Sequence, residues 1–240
     1  MNTLHQLVSS ILRRRREVTS SRAVLVAISG IDASGKGHTA ELAAAALRRL
    51  GQRAVVLNAD GWLNLPAVRF NATDPGGHFY RHALRLEEMF TQLVLPLRDR
   101  RRIRVTVDFT EETATAYRRH VYEFPEIDVV LLEGIFLLKP QYRAHYDLSA
   151  WIDCTFTTAL ERAIVRGQEG LPEDETIKAF ETIYFPAQRI HFELDRPREA
   201  AGFIVPNDPR LSEEAAAGSL PAGATNQPAP EPFTQTITTP

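Results

Sequence analysis

Ala23-Val24-Leu25-Val26-Ala27-Ile28-Ser29-Gly30-Ile31-Asp32-Ala33-Ser34-Gly35-Lys36-Gly37-His38-Thr39 is the stretch on which the reading of this chain turns. Ala23 to Ser29 is an unbroken apolar run closed by glycine, the pattern of a strand covered on both faces in a parallel sheet. Thr39 to Leu50 gathers alanine and leucine and stops at Gly51, the signature of a helix with a glycine C-terminal signal. Gly30 to Gly37 must then be a strand-to-helix loop with the spacing Gly-x4-Gly-Lys. Glycine lets the backbone turn its N–H groups inward around a polyphosphate, the helix N-terminus adds positive potential, and Lys36 supplies a mobile cation. The expected nucleotide contacts are Gly30, Asp32, Ala33, Ser34, Gly35, Lys36, Gly37 and His38. A strict phosphate loop follows its lysine with Ser or Thr as a magnesium ligand. Gly37 has no hydroxyl, and Thr39 comes two residues too late to be its simple equivalent.

Working outward, Ala54 to Asn58 is the next short strand, so strand, helix and strand form a βαβ unit with a right-handed crossover. Asp60, in Asn58-Ala-Asp60-Gly61-Trp62, falls at the carboxyl end of that strand, where ligands of doubly wound sheets sit. A carboxylate there can take the proton from an attacking hydroxyl, although Asp-Gly is also a common turn signal. Asp128 to Gly134 is another buried strand and ends in Glu133, placed to hold magnesium directly or through water, or else to cap the following turn. Arg162 and Arg166 lie four apart on one helix face, where two guanidinium groups could stabilise a transferring phosphoryl, or simply be solvated.

The rest of the chain fills in an α/β pattern. Apolar positions from Leu4 to Leu12 predict an amphipathic helix over residues 2–18 with Arg13 to Arg16 as a solvated end. Gly61 to Gly77 reads as a long excursion over the sheet edge, His78 to Leu97 as a helix, and Arg98 to Arg104 as a solvated helix end. Strands follow near Ile103 to Phe109 and Tyr117 to Phe124, then at Trp151 to Thr155 and Gly202 to Pro206. Helices are expected at Thr158 to Arg166 and, kinked by Pro186, at Thr176 to Leu194. His78 and His82 have a metal-compatible spacing but no evident third ligand, and His191 reads as a packed helix residue.

Composition narrows the class. With 44% hydrophobic and 24% charged residues, collagen-like, coiled-coil and wholly disordered chains are excluded. No apolar run is long enough to span a bilayer, so no membrane partner is expected. The 28 Lys plus Arg nearly balance 30 Asp plus Glu, so no global field invites nucleic acid and any anion site must be local. One cysteine, Cys154, fits a reducing cytoplasm, and no signal peptide is recognisable at the N-terminus. The expected organisation is one three-layer α/β P-loop domain with a mostly parallel sheet and a helical lid over residues 1–207, then a disordered Pro- and Ala-rich tail at 208–240. Homo-oligomerisation is left open.

The order of these features resembles the uridine kinase-like family of P-loop nucleoside kinases, related to pantothenate kinase and phosphoribulokinase. The resemblance rests on Ile28 to Gly37, Asn58 to Trp62, Asp128 to Phe136, Trp151 to Cys154 leading to Arg162 and Arg166, and Ile204 to Asn207. It implies ATP and Mg2+ as cofactors, Asp60 as catalytic base with Lys36, Arg162 and Arg166 acting on the phosphoryl group, and Glu133 with Asp60 near magnesium. Arg162 and Arg166 would belong to a lid, shortened here at Gln168 to Leu171. It further implies a small-molecule acceptor near Asp60, Trp62, Asp74, His78, Tyr80 and Asp108. Members that phosphorylate uridine carry Tyr-Asp-Phe with a nearby histidine, whereas Val107 here precedes Asp108-Phe109. The activity implied is phosphoryl transfer to uridine or cytidine. A pantothenate-like or sugar acceptor, or a non-catalytic nucleotide-binding regulator, stands as the alternative.

Overall fold

The computed structural model describes residues 3–167 and 170–211. Residues 1, 2, 168, 169 and 212–240 lie outside the described residues, and with them the start of the expected first helix, half of the shortened lid loop and most of the expected tail.

Five strands form one parallel sheet in the order β2-β5-β1-β6-β7: β1 Val24–Gly30, β2 Ala54–Asn58, β5 Val129–Gly134, β6 Leu148–Asp153 and β7 Phe203–Pro206. Strand β5 separates β1 from β2, so the first crossover skips one position. Strand alternation builds the layers. Val24, Val26 and Ile28 face a core made with α1 (Thr3–Glu17) and α2 (Lys36–Arg49), while Leu25 and Ala27 face the larger core on the other side. That second core contains Met89, Phe90, Leu93, Phe136, Trp151 and Tyr184. The fold is the expected three-layer α/β architecture, and both faces of β1 and β5 are fully covered.

Three expectations are corrected. The segment Gly61 to Leu97 is not a loop followed by one helix: it folds into a 3-10 turn at Ala59–Trp62, α3 (Pro66–Arg69), α4 (Pro75–His82), α5 (Leu86–Met89) and α6 (Leu95–Arg100). Asp74 starts α4 early by accepting from the Gly77 amide at 3.1 Å, with Pro75 at the first helical position. Pro96 and Pro186 are absorbed without a break, because a π segment precedes each, Phe90–Val94 before α6 and Phe180–Tyr184 between α9 (Glu173–Ala179) and α10 (Phe185–Asp195). A π turn re-registers the ladder where proline lacks its N–H.

The second correction concerns charge. Arg101 is not solvated: it binds Asp128, Glu126 and the Ser20 and Ile127 carbonyls, while Arg98 donates to the His145 carbonyl at 3.1 Å. Arg14 and Arg15 likewise reach Asp147 and Asp128. The third concerns the tail. Asp208, assigned to it from sequence, is buried and accepts from the Thr155 amide at 2.8 Å and the Thr158 hydroxyl at 2.8 Å. It thereby fastens the start of α8 (Phe156–Arg166), the helix that follows α7 (Pro140–Arg143), and these bonds hold its carboxyl well below the usual range against the opposing effect of burial.

The remaining strands, β3 (Ile103–Phe109) and β4 (Arg118–Phe124), stand apart as an antiparallel hairpin. Among the described residues no helix is long and apolar enough to cross a membrane.

Candidate active site

The loop from Gly30 to Gly37 joins β1 to α2 as expected, with Gly35 at φ 89° and Ala33 at φ 54°. Gly35 cannot be replaced cheaply: a Cβ there would lie 2.3 Å from the Asn207 Nδ2. That nitrogen donates to the Ser34 carbonyl at 2.7 Å, Arg162 Nη1 donates to the same oxygen at 3.3 Å, and Arg162 Nη2 donates to the Asn207 carbonyl at 2.8 Å. On the other flank Gln188 Nε2 donates to Asp32 Oδ2 at 3.1 Å, while burial raises the Asp32 carboxyl and Lys36 pulls against it. The loop is thus held from α8, from the end of β7 and from α10.

Sheet register brings the acidic groups alongside. Ile28 and Asn58 are both in register with Glu133, so β5 delivers its terminal carboxylate between the loop strand and the Asp60 strand. Asn58 Oδ1 accepts from the Asp60 amide at 2.7 Å and fixes the 3-10 turn that carries Asp60. Lys36, Gly37, His38, Asp60, Glu133 and Arg166 border a cavity of about 360 Å³, which Arg162 also reaches.

Glu133 is buried, and among the described residues no hydrogen bond reaches its carboxylate. Burial, reinforced by Asp60 and opposed by Lys36, pushes it up to about 7. A Cβ added to Gly37 would stand 3.4 Å from Glu133 Oε1, so the missing hydroxyl position faces this carboxylate. The Thr39 hydroxyl donates to the Gly35 carbonyl at 3.1 Å, which ties it to the backbone of the loop. Among the described residues no group of three or more His, Cys, Asp or Glu could hold a metal ion. Asp60 and Glu133 therefore fit a divalent ion carried in by nucleotide phosphates, since magnesium is commonly bound through one or two carboxylates plus phosphate oxygens and water.

A second cavity, of about 520 Å³, lies on the other side of Asp60. Its wall is the hairpin: Phe109 and His120 rings are 4.9 Å apart and His120 and Tyr122 rings 4.5 Å apart. Glu111, Glu112 and Thr113 of the intervening loop complete it. Gly61 makes the junction, since a Cβ there would lie 2.4 Å from the Phe109 ring, and its carbonyl accepts from the Thr110 amide at 3.1 Å. Among the described residues no lysine or arginine lines this cavity. Arg118 stacks over Phe109 at 4.5 Å and pairs with Glu111.

Gly35, Lys36, Gly37, His38, Ala33, Asp60, Glu133, Arg162 and Arg166 are brought together as read from sequence, and Asp60 and Asn58 line both cavities. Of the expected loop contacts, Gly30, Asp32 and Ser34 are not in the lining of the phosphate-loop cavity, and five expected acceptor contacts fall elsewhere. Trp62 is fully buried in the core under Arg85. Asp74 caps α4 and pairs with Arg81, and His78 bonds the Val68 carbonyl at 2.8 Å while its ring lies tilted against His82 at 4.4 Å. Tyr80 donates to Asp195 at 2.6 Å. Asp108 pairs with Arg119 on the outer hairpin face, because Val107 and Phe109 take the inner one. Period-two alternation along Val107-Asp108-Phe109 was the available signal, and the same rule on β4 selects His120 and Tyr122. Gln188 had no sequence signal of its own, and Asn207 entered only as the last residue of the Ile204 to Asn207 match.

No protein-family model matches the chain. Similar solved structures include a Bacillus stearothermophilus protein provisionally designated a uridine kinase, with a TM-score of 0.66 and 19% identity over 84% of this chain and 96% of that one. A Silicibacter sp. TM1040 protein, provisionally designated a fructose transport system kinase, has a TM-score of 0.62 and 22% identity over 85% and 98% of the two chains. The D-glycerate 3-kinase of Cryptococcus neoformans var. grubii has a TM-score of 0.56 and 14% identity over 82% and 89%. What this chain shares with all three is a fold, the three-layer P-loop kinase fold, carried through nearly the whole of each partner.

Proposed function

We propose that this chain is an ATP-dependent phosphotransferase acting on a hydroxyl of a small uncharged molecule, with uridine or cytidine as the leading acceptors. The observation that carries the reading is the position of Asp60 on the wall shared by the phosphate-loop cavity and the aromatic cavity. A carboxylate on that seam can take the proton of a hydroxyl presented from one side as its oxygen meets a phosphoryl presented from the other.

Bound ATP with magnesium would supply the transferable phosphoryl group and neutralise much of its charge. Lys36 and the loop amides hold polyphosphate, Arg166 and Arg162 border the same cavity from α8, and Asp60 with Glu133 would hold the ion. The aromatic wall of Phe109, His120 and Tyr122 suits a planar base. The absence of lysine and arginine from the described lining, set against Glu111 and Glu112, argues against carboxylate acceptors such as glycerate or pantothenate. A sugar is the second reading, because Thr110, Glu111 and Glu112 can accept bonds from several hydroxyls.

The test is ADP release from ATP and magnesium with uridine, cytidine, fructose, glycerate or pantothenate, beside an acceptor-free control. Uridine, cytidine or a neutral sugar should stimulate release, and Asp60→Asn should lower kcat by about 10²- to 10⁴-fold while ATP still binds through the loop and Lys36. Equal turnover in Asp60→Asn, or stimulation by the anionic acceptors alone, would overturn the reading.

A further inference from the structure

The arginine run at the end of α6 divides in two. Arg98 and Arg101 are spent on backbone carbonyls and carboxylates, whereas Arg100 and Arg102 are exposed and make no hydrogen bond or ion pair among the described residues. Both border two adjoining clefts. One, of about 440 Å³, also has Ser20, Ser21 and Glu126 in its wall, and the other, of about 760 Å³, has Ile103, Phe124 and Arg104. The carboxylates present already have partners: Glu126 pairs with Arg53 and Arg101, and Glu123 with Arg104 at 3.7 Å. Two unpaired guanidinium groups therefore face a groove beside an apolar floor of Ile103, Phe124 and Pro125.

The groove lies just ahead of β1, β3 and β5, at the opposite edge of the sheet from the phosphate loop that follows β1. It is a separate place from the candidate active site. Guanidinium forks match phosphate oxygens, and an apolar floor beside them suits the planar or hydrocarbon part of a phosphorylated metabolite. The cleft volumes are those of small-molecule sites, and a chain of net charge −2 without a long basic stripe does not suit an extended nucleic acid.

We propose that the groove lined by Arg100, Arg102 and Phe124 is a second anion site, for a small phosphate-bearing molecule with an apolar portion. The test uses the full chain in equilibrium dialysis, with ADP, pyrophosphate and an RNA oligomer as separate probes. The wild type, Lys36→Ala and the double variant Arg100→Ser/Arg102→Ser are compared after circular dichroism confirms their folds. The wild type should bind two ADP per chain and each variant one. Pyrophosphate bound by Lys36→Ala should be lost when the two arginines are replaced as well. If Lys36→Ala does not fold, the drop from two ADP to one between wild type and double variant decides alone, since both arginines are exposed surface residues. A single ADP per chain that the double variant retains, or binding of an RNA oligomer without binding of pyrophosphate, overturns the proposal.

Discussion

Replacing His191 by Asn should flatten the acid limb of the stability profile. His191 is fully buried on α10, with Nδ1 at 2.6 Å from Asp195 Oδ2, the same oxygen that accepts from the Tyr80 hydroxyl at 2.6 Å. Among the described residues its Nε2 has no partner. Burial is the largest influence and pushes the imidazole down to about 4, aided by Lys139 and Arg143 and opposed by Asp195. An unfolded histidine titrates near 6.5, so between pH 6.5 and 4 the unfolded chain binds this proton more tightly, and stability falls as pH falls. At about 1.4 kcal/mol per pH unit the loss is about 3 kcal/mol once complete and about 2 kcal/mol at pH 5. Urea unfolding at pH 8 and pH 5 reads it directly. The wild type should lose about 2 kcal/mol more than His191→Asn over that interval, whatever the packing cost of the substitution at pH 8. Equal pH slopes would refute the reasoning. So would a wild type that gains stability on acidification relative to the variant, because that sign belongs to an imidazolium stabilised by Asp195.

Three further outcomes test other joints of the structure. Gly35→Ala should abolish nucleotide binding, measured by calorimetry, and lower stability by about 1 kcal/mol or more, because it combines a φ of 89° with a Cβ 2.3 Å from Asn207 Nδ2; unchanged affinity would mean that the loop is not held as described. Asp208→Asn should cost about 2 kcal/mol in urea unfolding by weakening charge-assisted bonds to Thr155 and Thr158, and no change would return residue 208 to a dispensable tail. His120→Ala should raise the acceptor KM about tenfold without moving ATP affinity, since its ring packs between Phe109 and Tyr122, tilted against the first and edge-on to the second, in the aromatic cavity alone; a rise in ATP Kd instead would misplace the acceptor.

The phosphate loop, Asp60, Glu133 and the helical pair Arg162 and Arg166 were legible because each sits at the end of an element whose period or glycine punctuation marks it. A strand's terminus fixes where its last side chain goes, and parallel strands bring those termini to one edge. Trp62 and Tyr80 were misplaced because their targets are set by tertiary packing, whereas the outward position of Asp108 follows from period-two alternation along its strand. Tyr80 finds Asp195 far along the chain, and Trp62 is taken into the core. The helix over His78 to Leu97 was read as continuous because apolar residues persist through Leu84 to Val94, while the turn that ends α4 leaves no distinctive residue type. The absorption of Pro96 and Pro186 by π segments is likewise invisible to a rule that treats interior proline as a breaker.

The shape of the phosphate loop is itself non-local, and this bears on how the site forms. Ala33 at φ 54° is a non-glycine residue in the left-handed region, a conformation that costs on the order of 1 kcal/mol and persists only where surroundings over-determine it. Those surroundings arrive late in the chain: Arg162 and Asn207 hold the Ser34 carbonyl and Gln188 holds Asp32. Arg162 also borders the phosphate cavity, so the contact that fixes the loop and the charge that faces its ligand come from one side chain. Asp208, one residue beyond Asn207, pins the N-terminus of α8 and hence the helix that presents Arg162 and Arg166. A chain ending before Asn207 would therefore keep the glycines and the lysine of the motif but lose the Asn207 bond to the Ser34 carbonyl and the carbonyl that anchors Arg162. The segment from β7 through Asp208 thus helps to set the shape in which the glycines and lysine of the motif are held.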